Sequence, residues 1–221
     1  MGKLETPDWS NVPKWMFNHV YEPAEDTFLL LDAIEHDLDK IKKLNPVICL
    51  EVGCGSGVVI TAVAKALNNS ALFIATDKNK YATEVTKITS KQNNTEIQIV
   101  RTDLVVGLHD RLQRKIDLIL FNPPYVVTPS HEVGGESLSS SWAGGIKGRE
   151  VIDRFIPYIS DLLSENGLFY LVIIKQNDYM DIARIMKAYD FHCTVVLSRR
   201  SGCEHLSVLR FSRNLNAKQF K

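Results

Sequence analysis

The chain has 221 residues and a mass of 25.0 kDa, the size of one or two domains. Hydrophobic residues make up 45% and charged residues 24%, so the composition is that of a globular protein and not of a disordered one. The 26 basic side chains balance the 26 acidic ones, which argues against a general binder of polyanions. No apolar run approaches the roughly 20 residues of a membrane helix, and residues 1–10 lack the pattern of a signal peptide.

Cysteine usage favours a reducing compartment. Cys49 and Cys54 lie in or beside an apolar run, where a reduced cysteine behaves as a small hydrophobic residue. Cys193 and Cys203 complete the set; no two form a Cys-x-x-Cys pair, and no histidine stands at metal-ligand spacing from them. We therefore expect four free thiols, no metal ion, and a cytoplasmic or nuclear protein without a membrane partner.

Helices and strands alternate along most of the chain. Residues 1–22 have no clear period, whereas apolar residues at helical spacing after Pro23 predict a helix over residues 28–41. The further predicted helices are 58–67, 80–93, 149–163 and 179–189. The predicted strands are 47–52, 71–76, 97–101, 116–121, 168–174, 192–198 and 206–211.

This alternation predicts an α/β fold with a seven-stranded, mostly parallel sheet and helices on both faces. The last two strands flank a turn at residues 200–202, which indicates a C-terminal antiparallel hairpin. We expect one domain over residues 46–221, with an N-terminal extension and helix over residues 1–45 packed on it. Residues 128–149 are rich in glycine and serine and too long for an ordinary connection, which indicates a functional loop.

The first predicted strand runs into a glycine loop with Gly53, Gly55 and Gly57. Glycine lets the backbone turn tightly and lets a ligand approach the main chain, and the following helix start has unpaired N–H groups. The spacing is Gly-x-Gly-x-Gly, which differs from the Gly-x-Gly-x-x-Gly of dinucleotide-binding proteins. The loop therefore predicts a ligand site at the carboxyl ends of the strands, but not which ligand.

Three acidic residues at the ends of the first three strands narrow the choice of ligand. Glu51 precedes the glycine loop, Asp77 can accept both hydroxyls of a ribose, and Asp103 is placed to touch an adenine amino group. Three carboxylates would repel a pyrophosphate, which argues against a nicotinamide dehydrogenase. They suit a ligand without phosphate that carries a positive sulfonium and an ammonium group, so the predicted cofactor is S-adenosylmethionine.

The fourth predicted strand ends in Asn122-Pro123-Pro124-Tyr125. The prolines remove two N–H donors, which leaves carbonyl oxygens, the Asn122 side chain and an aromatic face. The Asn122 oxygen and the Pro123 carbonyl can accept both hydrogens of a planar NH₂ group, while Tyr125 stacks on its plane. Because this frees the nitrogen lone pair and brings it close to a methyl carbon, these four residues are the candidate catalytic residues for methyl transfer.

Together these residues resemble the class I S-adenosylmethionine-dependent methyltransferases, whose fold is Rossmann-like. Within that class the chain is similar to the HemK branch, and in particular to the eukaryotic release-factor glutamine N5-methyltransferases, which methylate the glutamine of a Gly-Gly-Gln motif. The bacterial members carry a helical N-terminal domain that the first 45 or so residues do not match, so the chain fits the short eukaryotic and archaeal type. The resemblance is carried by residues 21–28, 50–57, 122–128, 142–145 and 148–150.

The resemblance implies a role for each matching position. Asn122, Pro123 and Tyr125 would hold the substrate amide, and the loop over residues 128–148 would cover it. Trp142 would be a packing anchor for the substrate, with ordinary core packing as the alternative. The implied cofactor-binding residues are Thr27, Glu51, Gly53, Gly55, Asp77, Asp103, Leu104 and Asn122.

The resemblance also implies partners. The family uses a small zinc-binding activator subunit, so we expect a heterodimer in which the zinc belongs to the partner. In this fold the third strand, here residues 97–101, lies at a sheet edge that a strand of the partner would cover. We expect the chain to be poorly soluble without it. The implied substrate is the peptide-chain release factor.

Three other functions stay open. The residues 122–125 suit an adenine amine as well as an amide, but the zero net charge argues against a nucleic-acid adenine N6-methyltransferase, although residues 199–221 hold six basic residues and one acidic one. A histone lysine methyltransferase is the second, as an additional activity linked to the eukaryotic family. A non-catalytic binding protein on the same fold is the third, and the intact residues 122–125 argue against it.

Overall fold

A computed structural model describes residues 3–135, 138–202 and 204–213 of the chain. It contains a seven-stranded sheet, which confirms the predicted α/β fold. The strands are β1 (Ile48–Val52), β2 (Leu72–Asp77), β3 (Ile97–Arg101), β4 (Ile116–Phe121), β5 (Leu163–Ile174), β6 (Phe191–Ser201) and β7 (Glu204–Arg213). Their order is β3-β2-β1-β4-β5-β7-β6, in which β1 to β5 are parallel and the hairpin of β6 and β7 is antiparallel.

The helices connect these strands and cover the sheet. They are α1 (Glu25–His36), α2 (Leu38–Leu44), α3 (Val58–Ala66), α4 (Lys80–Gln92), α5 (His109–Leu112), α6 (Glu150–Leu162) and α7 (Tyr179–Ala188). None of the helices in the described ranges is long and apolar enough to cross a membrane.

Each face of the sheet has its own hydrophobic core, because side chains alternate between the faces along a strand. Cys49 of β1 packs with α1 and α3 on one face, and its neighbour Leu50 packs with α6 and α7 on the other. A third, smaller cluster joins Met16 and Val20 of the N-terminal stretch to Val85 of α4. The N-terminal stretch is therefore anchored beside the carboxyl end of β2, where α4 begins.

The predicted helix over residues 28–41 is wrong as one element, because it ends at His36 and a second helix starts at Leu38. Asp37 between them is buried, and its carboxylate accepts hydrogen bonds from Tyr170 at 2.9 Å and from Arg210 of β7. Burial alone would raise the pKa of Asp37, but the bonds to Arg210 and Tyr170 outweigh it and lower that pKa. Pro23 also lies outside the helix, which begins at Glu25 after the N-cap Ala24.

Other differences lie at element ends. Strand β5 begins five residues before the predicted start, at Leu163, and the two hairpin strands are longer than predicted since they pair with each other over ten positions. The short helix α5 was not predicted. Cys49, Cys54 and Cys193 are free, as expected, whereas Cys203, Ser137 and the basic tail beyond residue 213 lie outside the described residues.

The described residues of the loop after β4 include three 3-10 turns, Ser130–Glu132, Leu138–Ser141 and Ile146–Gly148. Its end is fixed to the strand end by the fully buried Asn177, whose Nδ2 donates to the carbonyls of Tyr125 at 2.8 Å and Lys147 at 2.9 Å. Gly148 fills the narrow space between them. Residues 122–125 are therefore fixed at one end by β4, which they follow, and at the other by Asn177, which links Tyr125 to the end of the loop.

We predict that Gly148→Ala destabilises the protein far more than Gly202→Ala. Both glycines have positive φ values, +65° and +56°, which cost a non-glycine residue about 1–2 kcal/mol. At Gly148 a Cβ would also lie 1.9 Å from the Tyr125 carbonyl oxygen, whereas at Gly202 it would meet nothing within 4 Å. Urea unfolding should show an extra loss on the order of 1–3 kcal/mol for Gly148→Ala. Equal losses would contradict the packing described for the loop.

Candidate active site

A cavity of about 360 Å³ lies at the carboxyl ends of β1, β2 and β4. Parallel strands all end at the same edge of the sheet, so residues far apart in sequence meet there. Every residue predicted to bind cofactor or substrate lines this cavity, namely Thr27, Glu51, Gly53, Gly55, Asp77, Asp103, Leu104, Asn122, Pro123, Pro124, Tyr125 and Trp142. The structure thus brings the predicted residues together, while the role of each stays a prediction.

The glycine loop turns from β1 into α3 through three residues with positive φ, Gly53, Gly55 and Gly57. The first two line the cavity. Gly57 has a packing role instead, because a Cβ there would lie 2.6 Å from the Thr86 side chain of α4. The loop therefore presents its backbone to the cavity and lets α3 and α4 approach closely.

Two buried carboxylates surround this loop. Glu51 is 3% exposed and its Oε2 accepts the Ile60 N–H at 3.1 Å; burial raises the pKa of Glu51 to about 8, and the charge of Asp77 adds to the shift. Asp77 accepts the N–H groups of Gly55 at 3.0 Å and Asn79 at 2.8 Å, yet burial still raises its pKa. A raised pKa means that burial disfavours the charged form of each carboxyl group, and a nearby positive charge would favour that form again. A cationic ligand would therefore be stabilised at this end of the cavity, whereas an anionic one would not.

Asp103, predicted to touch an adenine amino group, also lines the cavity. Its carboxylate forms an ion pair with Arg154 of α6 at 2.5 Å, and both side chains are half exposed. Arg154 also lines the cavity. It was not predicted as a site residue, because it is an ordinary polar residue of an amphipathic helix and belongs to no motif. Leu104 next to Asp103 has a φ of +49°, a left-handed conformation that a non-glycine residue adopts at a cost of about 1–2 kcal/mol.

The opposite end of the cavity is formed by the residues after β4. The Asn122 Nδ2 donates to the Asp26 carboxylate at 2.9 Å, and the Tyr125 hydroxyl donates to the same Oδ2 at 3.1 Å. The Asn122 Oδ1 is buried and has no hydrogen-bond partner within the described part of the chain. An unpaired buried acceptor is costly, so it indicates a ligand that donates a hydrogen bond there. The unpaired Asn122 oxygen is one of the two acceptors predicted for an NH₂ group, and the Pro123 carbonyl stays the predicted second one.

Tyr125 is held tightly in this arrangement. It is 7% exposed, and burial raises the pKa of its hydroxyl, with the charge of Asp26 adding to the shift. Burial likewise raises the pKa of the neighbouring Tyr21 to about 12. Both phenols are therefore neutral hydrogen-bond donors at physiological pH, and neither is a general base.

Several lining residues were missed from the sequence. Asp26 belongs to residues 21–28 and lies in the acidic first turn of α1. His19 stacks on Tyr81 at 4.2 Å and lines the cavity, so part of the aperiodic N-terminal stretch forms its wall. Glu204 at the start of β7 also lines it. No local sequence pattern marks these residues as site residues, because they are far apart in the sequence and meet at the cavity only in the folded chain.

Trp142 lies at the rim of the cavity and is 37% exposed, so the alternative of ordinary core packing is wrong. Its carbonyl accepts the Val126 N–H at 2.9 Å, which ties the loop to the segment after Tyr125. Across residues 3–135, 138–202 and 204–213, no cluster of three or more His, Cys, Asp or Glu side chains could hold a metal ion.

The family comparison agrees with this geometry. Residues 26–136 match the methyltransferase small domain family, which spans the cavity residues from Asp26 through the glycine loop to residues 122–125. The cofactor of these methyltransferases is S-adenosylmethionine, whose sulfonium and ammonium groups are the cationic ligand that the buried carboxylates fit.

Curated relatives match over nearly the whole chain. The human Methyltransferase HEMK2 is 51% identical over 95% of this chain and 97% of its own length. The eRF1 methyltransferase catalytic subunit mtq2 of Schizosaccharomyces pombe is 34% identical over 95% and 96%. A solved E. cuniculi Mtq2–Trm112 complex, described as responsible for the methylation of the translation termination factor eRF1, matches with a TM-score of 0.66 and 26% identity over 89% of this chain and 99% of that one. The chain belongs to the eukaryotic HemK-type class I S-adenosylmethionine-dependent methyltransferases.

Proposed function

We propose that the chain transfers a methyl group from S-adenosylmethionine to the side-chain amide nitrogen of the glutamine in the Gly-Gly-Gln motif of the release factor eRF1. The observation that carries the proposal is the Asn122 Oδ1, a buried acceptor without a partner in the described residues, in the same cavity as the buried carboxylates Glu51 and Asp77. The printed names of the mtq2 relative and the Mtq2–Trm112 complex support eRF1 as the substrate.

The chemistry follows from the two ends of the cavity. When bound, S-adenosylmethionine would supply a methyl group activated by its positive sulfonium, and breaking the methyl–sulfur bond would leave S-adenosylhomocysteine. The Asn122 Oδ1 accepts one N–H of the glutamine amide, and the Pro123 carbonyl is the predicted acceptor of the other. Fixing both hydrogens frees the nitrogen lone pair and holds the nitrogen for attack, which lowers the barrier through proximity. The same oxygens stabilise the positive charge that develops on nitrogen, and the product then releases a proton to water.

A lysine amine is a second candidate acceptor. Asp26 and Glu204 line the cavity, and neither has an ion-pair partner in the described parts of the chain. These two carboxylates would attract the cationic lysine side chain. Because they also favour its protonated form, the lysine would have to release a proton to water before its neutral nitrogen attacks the methyl carbon. Histone lysine methylation is therefore proposed as an additional activity. A role in nucleic-acid methylation stays disfavoured by the zero net charge.

We also propose that a small activator subunit of the Trm112 kind covers the edge of the sheet at β3. In the described residues β3 pairs with β2 on one side, and its other side is free. The Thr102 N–H donates to Asp77 on β2, and backbone N–H groups alternate along a strand, so Ile97, Ile99 and Arg101 direct theirs to the free edge. An added strand would pair with them. The partner's zinc and a cytoplasmic or nuclear location stay predictions.

The proposed function is tested by a labelled methyl-transfer assay. The chain, co-expressed with the activator, is mixed in parallel with eRF1, an eRF1 variant carrying Gly-Gly-Ala, histone and duplex DNA. We expect label on eRF1 that disappears with the Gly-Gly-Ala variant. Label on histone or DNA with none on eRF1 would overturn the substrate assignment and leave the methyl-transfer chemistry in place.

Asn122→Ala should abolish turnover and leave cofactor binding mostly intact. The substitution removes the unpaired acceptor but none of the carboxylates beside the glycine loop. Loss of an oriented acceptor lowers turnover by a factor on the order of 10²–10³ or more. Calorimetric titration with S-adenosylmethionine gives the binding, and the labelled assay gives the rate. An Asn122→Ala variant that methylates eRF1 at nearly the parent rate would contradict the role of the Asn122 oxygen in holding the substrate amide.

Ile99→Pro should prevent the activator from binding, whereas Ile99→Ala should not. Proline removes the outward N–H at the centre of β3, while alanine keeps it and loses a similar part of the half-buried side chain. Co-purification with a tagged activator measures the difference. Equal recovery of both variants, or a soluble and active chain without any activator, would contradict pairing at β3.

A further inference from the structure

Asp26 is a buried carboxyl group. It lies in the first turn of α1, is 5% exposed, and forms no ion pair with a lysine, arginine or histidine of the described ranges. Burying a carboxylate without a cation is unfavourable unless hydrogen bonds satisfy it. Such a group is retained when the site needs its charge or its acceptor atoms.

The hydrogen bonds of Asp26 divide between its two oxygens. Oδ1 accepts from the Thr27 N–H at 2.8 Å and faces the Thr27 hydroxyl at 3.4 Å, which fixes the carboxylate to the start of α1. Oδ2 accepts from Asn122 at 2.9 Å and Tyr125 at 3.1 Å, which are 96 and 99 residues away. One oxygen thus anchors the group, and the other orients the substrate-binding segment.

The polarity of this contact determines which way the Asn122 amide points. A side-chain amide has an oxygen and a nitrogen of nearly equal shape, so shape alone does not choose between its two orientations. A carboxylate can only accept hydrogen bonds. The Asn122 Nδ2 therefore faces Asp26, and the Oδ1 points away from it. That oxygen is buried and has no hydrogen-bond partner among the described residues, on a side chain that lines the cavity.

We propose that Asp26 is a positioning residue that locks the Asn122 amide with its oxygen toward the acceptor, so that this end of the cavity selects groups that donate a hydrogen bond. The proposal rests on the proposed function for the identity of the acceptor. It explains why an uncompensated carboxylate is buried on α1, outside residues 122–125. It also gives Asp26 a role that the sequence alone did not assign to it.

Asp26→Asn is the variant that tests this inference. It preserves shape, and its own amide can still accept from Thr27 through an oxygen while presenting an NH₂ group to Asn122. The Asn122 amide then gains from turning over, with its oxygen toward residue 26 and its NH₂ toward the cavity. The matched control is Asp32→Asn on the same helix, whose carboxylate pairs with Arg199 at 2.5 Å outside the cavity.

The readout is the contribution of the glutamine to binding. The heterodimer with S-adenosylhomocysteine, the demethylated cofactor, is titrated with eRF1 and with the Gly-Gly-Ala variant of eRF1. The ratio of the two dissociation constants isolates the glutamine contact, since all other contacts cancel. In the parent we expect a ratio of roughly 10 to 100. In Asp26→Asn it should fall to about 1, with turnover lost, while Asp32→Asn keeps the parent ratio.

A double variant separates positioning from general stability. If Asp26 acts through Asn122, Asp26→Asn should change neither eRF1 affinity nor the ratio further in an Asn122→Ala background. S-adenosylmethionine affinity and melting temperature are measured for every variant, and Asp26→Ser replaces Asp26→Asn if the latter does not fold. A purely structural role would persist in the Asn122→Ala background.

Two outcomes would overturn the inference: a parent-like ratio and turnover in Asp26→Asn, or an equal effect of Asp26→Asn with and without Asn122. Failure of the proposed function is distinct from both, because it would appear in the parent enzyme as eRF1 that is neither bound through its glutamine nor methylated. In that case the same titrations with a histone peptide and its lysine-to-alanine variant test whether Asp26 orients Asn122 for an amine.

Discussion

The hydrogen bond from the Asn122 Nδ2 to the Asp26 carboxylate is the interaction on which the acceptor end of the cavity depends. It leaves the Asn122 oxygen as the group that faces the substrate, and the following prolines provide no N–H donors of their own. The acceptor end can therefore recognise an amide or amine by its hydrogens and rejects a group that lacks them. Buried polar contacts of this kind give strong discrimination, because the wrong ligand leaves the site unpaired.

The sheet places a second end of the cavity, lined by acidic side chains, close to the acceptor end. Glu51 and Asp77 are buried beside the glycine loop with raised pKa values, and a bound cation would stabilise their charged forms. The parallel strands β1, β2 and β4 bring both ends together at one edge. Asn177 and Gly148 then close the loop onto Tyr125 from outside. A methyl donor with a positive sulfonium and a nitrogen acceptor can thus meet within one enclosed volume.

The sequence predicted correctly the strands whose ends are set by residues within or next to the strand itself. Strands β3 and β4 have the predicted limits, because alternation marks the first and Pro123-Pro124 ends the second. The single helix over residues 28–41 was wrong, because the break at Asp37 is made by Tyr170 and Arg210, 133 and 173 residues away. Asp26 and Arg154 were missed at the site for the same reason: each acts on a residue that only the fold brings near. The glycine loop and residues 122–125 were found because their chemistry lies within one short segment.

The most direct test of the account is the affinity of the heterodimer, with S-adenosylhomocysteine bound, for eRF1 carrying Gly-Gly-Glu in place of Gly-Gly-Gln. Glutamate has nearly the shape of glutamine but offers only acceptor oxygens at neutral pH. An acceptor end made of the Asn122 oxygen and carbonyl groups should bind the glutamate protein at least about tenfold more weakly than the glutamine protein. Equal affinity for the two would contradict the account, because it would mean that the cavity does not recognise the amide hydrogens.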